Sequence, residues 1–201
     1  IRVAPIVAEM DGGTISNCYA EGVFNSVQNK DGNGMGGILG HGLGSSPVTI
    51  ENCITKIEFN NNVSPRLNGA IVGLLGVKNS IIRNNISLST GTNFYSIHGD
   101  TPVAKVENNY ELLDSGLTSN ANENKVKQVA QENVNADLFK NANFDEDIWD
   151  LSNVSYANTP KLKVNKVNDS VNNELPSNNK LYIPDYSIVK GVHGYSKTKE
   201  V

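Results

Sequence analysis

The chain has little of what would give it a covalent framework or a large aromatic core: 2 cysteines, 1 tryptophan and 5 phenylalanines in 201 residues. A disulfide-dense scaffold is thereby excluded. No apolar run approaches the roughly 18 residues that a membrane-spanning helix needs, so no membrane span is expected. Charge is thin, with 17 basic and 21 acidic residues scattered along the chain and a net charge of −4. Nucleic-acid binding ordinarily shows a basic stripe, and that partner class is not expected. Histidine is scarce as well, and none of His41, His98 and His193 falls in a His-Glu-x-x-His pattern. A recognisable zincin site is therefore missing from these residues.

Asparagine and glycine are abundant, at 30 and 18 residues. Both accept left-handed backbone conformations, so the chain must turn often and tightly, which argues against a helical bundle. Residues 1–10 read as a strand that starts in mid-sheet. A bare apolar edge invites pairing, and the expectation is an excised fragment whose upstream sequence supplied the neighbour.

Two landmarks repeat in phase. The first is Ile15-Ser16-Asn17-Cys18-Tyr19, Ile50-Glu51-Asn52-Cys53-Ile54, Ile82-Arg83-Asn84-Asn85-Ile86 and Val106-Glu107-Asn108-Asn109-Tyr110, with asparagines spaced by 35, 32 and 24 residues. The second centres on Ile6, Ile38, Ile71 and Ile97, flanked by glycine in the middle two copies. Periods of this size mark stacked repeats, and short β-branched runs favour strands over helices. The fold class expected is all-β: a right-handed parallel β-helix (solenoid) with a short helical, capping region and a polar C-terminal tail. Asn17, Asn52, Asn84 and Asn108 are expected to form a side-chain amide ladder, each bonding the next in the stack. Residues 25–33 and 60–68 read as loops leaving the coil.

The coils are expected over residues 1–113. In residues 114–163 the pattern changes: Val126, Val129 and Ala130, then Leu138 and Phe139, recur at roughly helical intervals, which predicts one or two short helices in 123–140. Trp149 is expected to cap the last open coil. Residues 164–201 begin polar and asparagine-rich, as a linker or strap toward a following domain.

Candidate chemical sites each have a plainer reading. Cys18 and Cys53 occupy one repeat position, where stacking allows either a disulfide or a ladder of two small apolar side chains. The run Asp145, Glu146, Asp147 and Asp150 lacks the central glycine and distant glutamate of a calcium loop, and reads as solvated charge. Residues 34–44 are glycine-rich, but no Gly-Lys-Ser/Thr comes after them and the glycines coincide with the repeat. No catalytic, cofactor-binding or metal-ligating residue is assigned to this segment.

Asp11-Gly12-Gly13-Thr14-Ile15-Ser16-Asn17-Cys18-Tyr19-Ala20 followed by Gly36-Gly37-Ile38-Leu39-Gly40 resembles the GLUG-type repeat of bacterial extracellular proteins. The pattern of residues 144–151 with Thr159-Pro160-Lys161-Leu162 is similar to the capping segment C-terminal to such repeats. More narrowly, Ile1-Arg2-Val3-Ala4-Pro5-Ile6-Val7-Ala8-Glu9 and Pro184-Asp185-Tyr186 resemble the streptococcal immunoglobulin A protease family of zinc metalloproteases. That resemblance covers most of residues 1–195. It implies a large extracellular or cell-wall-associated metalloendopeptidase whose zinc lies in a separate, more C-terminal domain. This segment would be its non-catalytic scaffold or substrate-recognition part, with host immunoglobulin A or another glycoprotein and the parent's other domains as partners. Two other readings stay open: a β-helix that binds or cleaves polysaccharide, and a passive spacer or adhesin stalk.

Overall fold

Glycine and asparagine corners divide the N-terminal sequence into short strands, and each strand is too short to be stable unpaired. In the computed structural model, which describes residues 2–26, 34–61, 65–101, 104–121, 125–163, 182–185 and 197–200, the chain solves this by passing repeatedly over itself. The first pass gives β1 (Val7–Met10), β2 (Gly13–Ser16) and β3 (Tyr19–Ser26). The second gives β4 (Met35–Gly36), β5 (Leu39–Gly42), β6 (Val48–Glu51) and β7 (Ile54–Asn61). A third gives β8 (Asn68–Gly69), β9 (Val72–Leu75), β10 (Ile81–Arg83), β11 (Ile86–Ser87) and β12 (Thr90–Gly91). A fourth, shorter pass gives β13 (Lys105–Glu107) and β14 (Asn109–Leu112), and β15 (Val126–Val129) comes after it.

Successive passes build the same parallel sheets: the first three form β1-β5-β9, all four form β13-β10-β6-β2, and in a third sheet β3 and β7 lead through β11 and β14 to β15, with β12 also on β7. The protein is therefore mostly β, with parallel sheets and little helix. The register explains the two landmarks. Ile15, Ile50, Ile82 and Val106 are paired in sequence through β2, β6, β10 and β13, forming one buried column. Ile38, Ile71 and Ile97 form another: the Ile38 N–H donates to the Ile71 carbonyl at 2.9 Å, and the Ile71 N–H to the Ile97 carbonyl at 2.8 Å. The glycines beside them are needed because the passes meet backbone to backbone: a Cβ on Gly37 would lie 2.0 Å from the Ala70 carbonyl oxygen.

Two apolar clusters hold this arrangement. One lies between the sheets and contains both isoleucine columns with Phe59 and Phe94, whose rings stack at 4.0 Å and receive Phe24 at 5.7 and 5.9 Å. The other lies on the opposite face of the third sheet. There Ile54, Ile86, Leu88 and Tyr110 are covered by Leu138, Phe139, Phe144, Trp149 and Leu151. Alternation along a strand explains the split: Ile57 and Phe59 point inward while Ile54 points to the covering segment.

The helix expected in residues 123–140 is corrected over its first half. Val126–Val129 is a strand paired in parallel with β14, its two valines buried and the residues between them exposed. A short helix bears a nucleation cost, whereas the free edge of β14 offers ready backbone partners to a β-branched segment. Helical structure begins only with the 3₁₀ turn Gln131–Asn133 and α1 (Ala136–Asn141), whose start is fixed by the Asn135 side chain accepting from the Leu138 N–H. Beyond it, β16 (Trp149–Asp150) and β17 (Lys161–Leu162) pair antiparallel.

The chain divides into the unit Ile1–Leu162 and a second unit, Lys163–Val201. Within the second, β18 (Tyr182–Asp185) and β19 (Lys197–Glu200) pair antiparallel. The linker read at the start of 164–201 lies outside the described residues, as do His193, residues 27–33 of the first loop and 62–64 of the second.

Candidate functional site

Every sequence-predicted ladder residue sits at a corner. Asn17, Asn52, Asn84 and Asn108 have φ of 55°, 52°, 57° and 50°, the left-handed region that asparagine tolerates better than other side chains. One such residue separates β2 from β3, β6 from β7, β10 from β11 and β13 from β14, and redirects the chain there. Among the four, one direct amide–amide bond joins neighbours: Asn108 Nδ2 donates to Asn84 Oδ1 at 2.9 Å. The other side chains hold the covering segment. Trp149 Nε1 donates to Asn17 Oδ1 at 3.1 Å, and Asn52 Nδ2 donates to the Asn143 carbonyl at 2.8 Å. Asn108 Nδ2 also reaches the Asn141 carbonyl at 3.1 Å, and Asn143 Nδ2 donates to Asn84 Oδ1 at 3.3 Å.

Trp149 accordingly does not close the last pass. It is fully buried against the flank of the third sheet and reaches the first pass at Asn17. The segment that carries it leaves the fourth pass at β15, touches Asn108 through Asn141, and ends near Tyr19, whose hydroxyl lies 2.8 Å from Thr159 Oγ1. It is a strap running back along the stack. The expected cap is corrected to this strap, because the outward-pointing Ile54, Ile86 and Tyr110 present an apolar flank that must be covered.

A continuous internal column forms one residue later, at Cys18, Cys53, Asn85 and Asn109. The last three are fully buried. Asn85 Oδ1 accepts from the Cys53 N–H at 3.0 Å, and Asn109 Oδ1 accepts both the Asn85 N–H and Asn85 Nδ2 at 3.0 Å. Their amide nitrogens donate to the Ile50 and Ile82 carbonyls at 3.0 and 2.9 Å. These amides thus replace backbone bonds that the left-handed corner interrupts. Asn-Asn doublets in phase with Asn-Cys pairs were the available sequence signal for this column.

Cys18 and Cys53 are both free thiols. The Cys18 thiol donates to the Ser16 carbonyl at 3.4 Å and the Cys53 thiol to the Glu51 carbonyl at 3.2 Å. The neighbouring Cys53 thiol brings the pKa of the half-buried Cys18 down to about 7, with burial opposing. Cys53 itself is pushed up by the same contact and by burial.

Sequence reasoning also missed a buried polar network in the fourth pass. Glu111 is 1% exposed; its carboxylate accepts from the Ser96 and Ser119 hydroxyls, the Asn120 N–H at 2.9 Å and Gln128 Nε2 at 3.2 Å. Asn120 Oδ1 in turn accepts the N–H groups of Ile97 and His98 at 2.9 and 3.1 Å. His98 Nδ1 lies 3.0 Å from the Gly99 carbonyl. Its other neighbour there is Thr101 Oγ1 at 2.8 Å.

Next to this network opens a polar cleft of about 460 Å³, lined among others by Arg66, Tyr95, His98, Asp100 and Lys125. Arg66 and Asp100 approach to 3.4 Å across it. A second groove, of about 300 Å³, lies beside the strap; there the Lys56 ammonium sits 5.2 Å from the Tyr156 ring centre and 3.7 Å from Glu21. Tyr19, bonded to Glu21, is pushed up to about 12, first by burial and then by that carboxylate.

The remaining candidates serve local structure. His41 accepts from Arg2 Nε at 2.7 Å, and burial followed by the guanidinium's charge lowers its pKa. In the acidic run, Asp145 and Asp150 accept backbone N–H groups two residues on, at 2.8 and 2.9 Å, and Glu146 pairs with Lys140 at 2.6 Å. Among the described residues, no three His, Cys, Asp or Glu side chains are grouped to hold a metal ion. No described helix is long and apolar enough to cross a membrane. No family model, curated protein or solved structure matches this chain.

Proposed function

We propose that residues 1–162 form a right-handed parallel β-helix acting as a non-catalytic recognition scaffold of an extracellular zinc metalloendopeptidase that cleaves immunoglobulin A. The observation that carries the scaffold reading is the register: strand after strand, each pass repeats the same parallel pairings. A stack held by ladders on three sides is rigid over its length, which suits it to hold a large glycoprotein while chemistry proceeds elsewhere. The enzyme class, its zinc and its substrate rest on the resemblance in residues 1–9 and 184–186 and on the GLUG-type repeat.

Binding of the purified chain to immobilised immunoglobulin A tests this reading, together with deletion of residues 25–33 and 60–68 from the parent protein. The expected result is measurable binding by the chain and a loss of at least about tenfold in the parent's affinity, roughly 1.4 kcal/mol. Unchanged affinity would leave a passive spacer.

The cleft favours a second reading, polysaccharide binding. Tyr95 offers an aromatic surface among Arg66, Asp100 and Lys125, and sugars combine an apolar ring face with hydroxyls that such groups recognise. Incubating the chain with glycans, with and without calcium, separates the two. Turnover abolished by changing one Asp or Lys would make this segment an enzyme.

A further inference from the structure

The two cysteines of the inner column are placed to bond. Tyr19 faces Ile54 in register, and the Ile54 N–H donates to the Cys18 carbonyl at 2.8 Å. Their α-carbons therefore lie one strand spacing apart, about 4.8 Å, within the roughly 4.4–6.8 Å that a disulfide spans. Both side chains pack with the same apolar cluster, Cys53 fully buried and Cys18 partly exposed. Accessibility is thus divided: one thiol can meet a solute and the other can meet only its neighbour.

We propose that Cys18 and Cys53 are a thiol–disulfide exchange site that closes into a bond between the first and second passes when it meets a low-molecular-weight disulfide such as oxidised glutathione. Cys18, as thiolate, attacks one sulfur of the glutathione disulfide. That sulfur–sulfur bond breaks, and one glutathione leaves and takes up the proton Cys18 gave to solvent. Cys53 then loses its proton and attacks the Cys18 sulfur of the mixed disulfide, and the second glutathione leaves as a thiol. Two protein thiols are oxidised and one glutathione disulfide is reduced to two thiols, with no other oxidant. The neighbouring Cys53 thiol supports this order, since it favours the thiolate on the accessible residue.

The bond would secure the first pass. β1 and β2 each end their sheet, and β3 pairs with β7 alone. A pass with a neighbouring pass on one side only has fewer backbone partners to hold it.

The test uses the whole chain, reduced and then exposed to oxidised glutathione, followed by intact mass, thiol titration and thermal unfolding. The expected product is a monomer lighter by two hydrogens, with no titratable thiol and a Tm raised by roughly 10 °C, reversed by reductant. Peptide mapping should recover Cys18 linked to Cys53. Cys53→Ser should stop with glutathione on Cys18, and Cys18→Ser should take up none. Two thiols still titrating, two glutathiones added per chain, or bonds formed only between chains would each overturn the proposal, and mapping on the unsubstituted chain decides it even if a variant fails to fold.

Discussion

Replacing Asn85 by alanine removes more than any exposed asparagine could. Its Oδ1 is the acceptor for the buried Cys53 N–H, and its Nδ2 is a donor to the Ile50 carbonyl and to Asn109 Oδ1. In the alanine variant Asn109 Oδ1 keeps the residue-85 N–H, but the Cys53 N–H and the Ile50 carbonyl each lose this partner in a fully buried site. A buried polar group left unsatisfied costs about 1–3 kcal/mol. The two together give about 3–5 kcal/mol, which for a unit of this size lowers Tm by roughly 10 °C. The control is one residue away. Asn84→Gly keeps the φ of 57° accessible and loses only the Asn84 Oδ1 contacts at the strap side, so it should cost no more than about 1 kcal/mol. Urea unfolding followed by far-ultraviolet circular dichroism measures both. If Asn85→Ala cost less than Asn84→Gly, the inner amides would not be replacing interrupted backbone bonds, and that role for the corner residues would have to be abandoned.

Because Trp149 is the only tryptophan, its fluorescence reports the strap. Leu138→Ala, which opens a hole beneath the strap, should cost about 2–5 kcal/mol and move the Trp149 emission change and the circular dichroism change together to lower urea. Glu111→Gln should cost about 1–3 kcal/mol in urea, since one acceptor oxygen becomes a donor facing the Asn120 N–H or Gln128 Nε2, neither of which can accept. Alkylation of Cys18 should reach half its maximal rate near pH 7, because its pKa is lowered to about 7, while Cys53 stays unmodified across that range; equal rates at both would contradict the asymmetry. His41, lowered by burial and Arg2, should titrate by nuclear magnetic resonance below the ordinary 6.5, and its contribution to stability is present above that unfolded value and lost as pH falls from there through the lower folded one.

Repetition made the strands legible from sequence. The isoleucines of the two landmarks recur in phase, and each set became a buried column, because stacked parallel strands place equivalent residues over one another. Asparagine at the corner was also readable, as a residue that tolerates positive φ. Which of two adjacent polar residues faces inward was not, since a left-handed residue breaks the simple alternation and turns Asn84 toward the strap and Asn85 into the core. Val126 and Val129 misled because their spacing of three suits a helix, and only the free edge of β14 made a strand the better choice. Glu111 and Asn120 carried no local signal; their partners come from separate segments, Ser96, Ser119 and Gln128.

The strap has a consequence for how the stack comes apart. In an array where each repeat touches only its neighbours, stability is close to a sum of local terms and the ends can melt while the middle persists. Here Asn141 is bonded to Asn108 in the fourth pass, Asn143 to Asn52 in the second and Trp149 to Asn17 in the first. Terminal passes are thereby yoked to one another across the intervening ones, and fraying at either end must first peel the same segment from the flank. What would otherwise melt like a zipper, tooth by tooth, is expected to let go in one step.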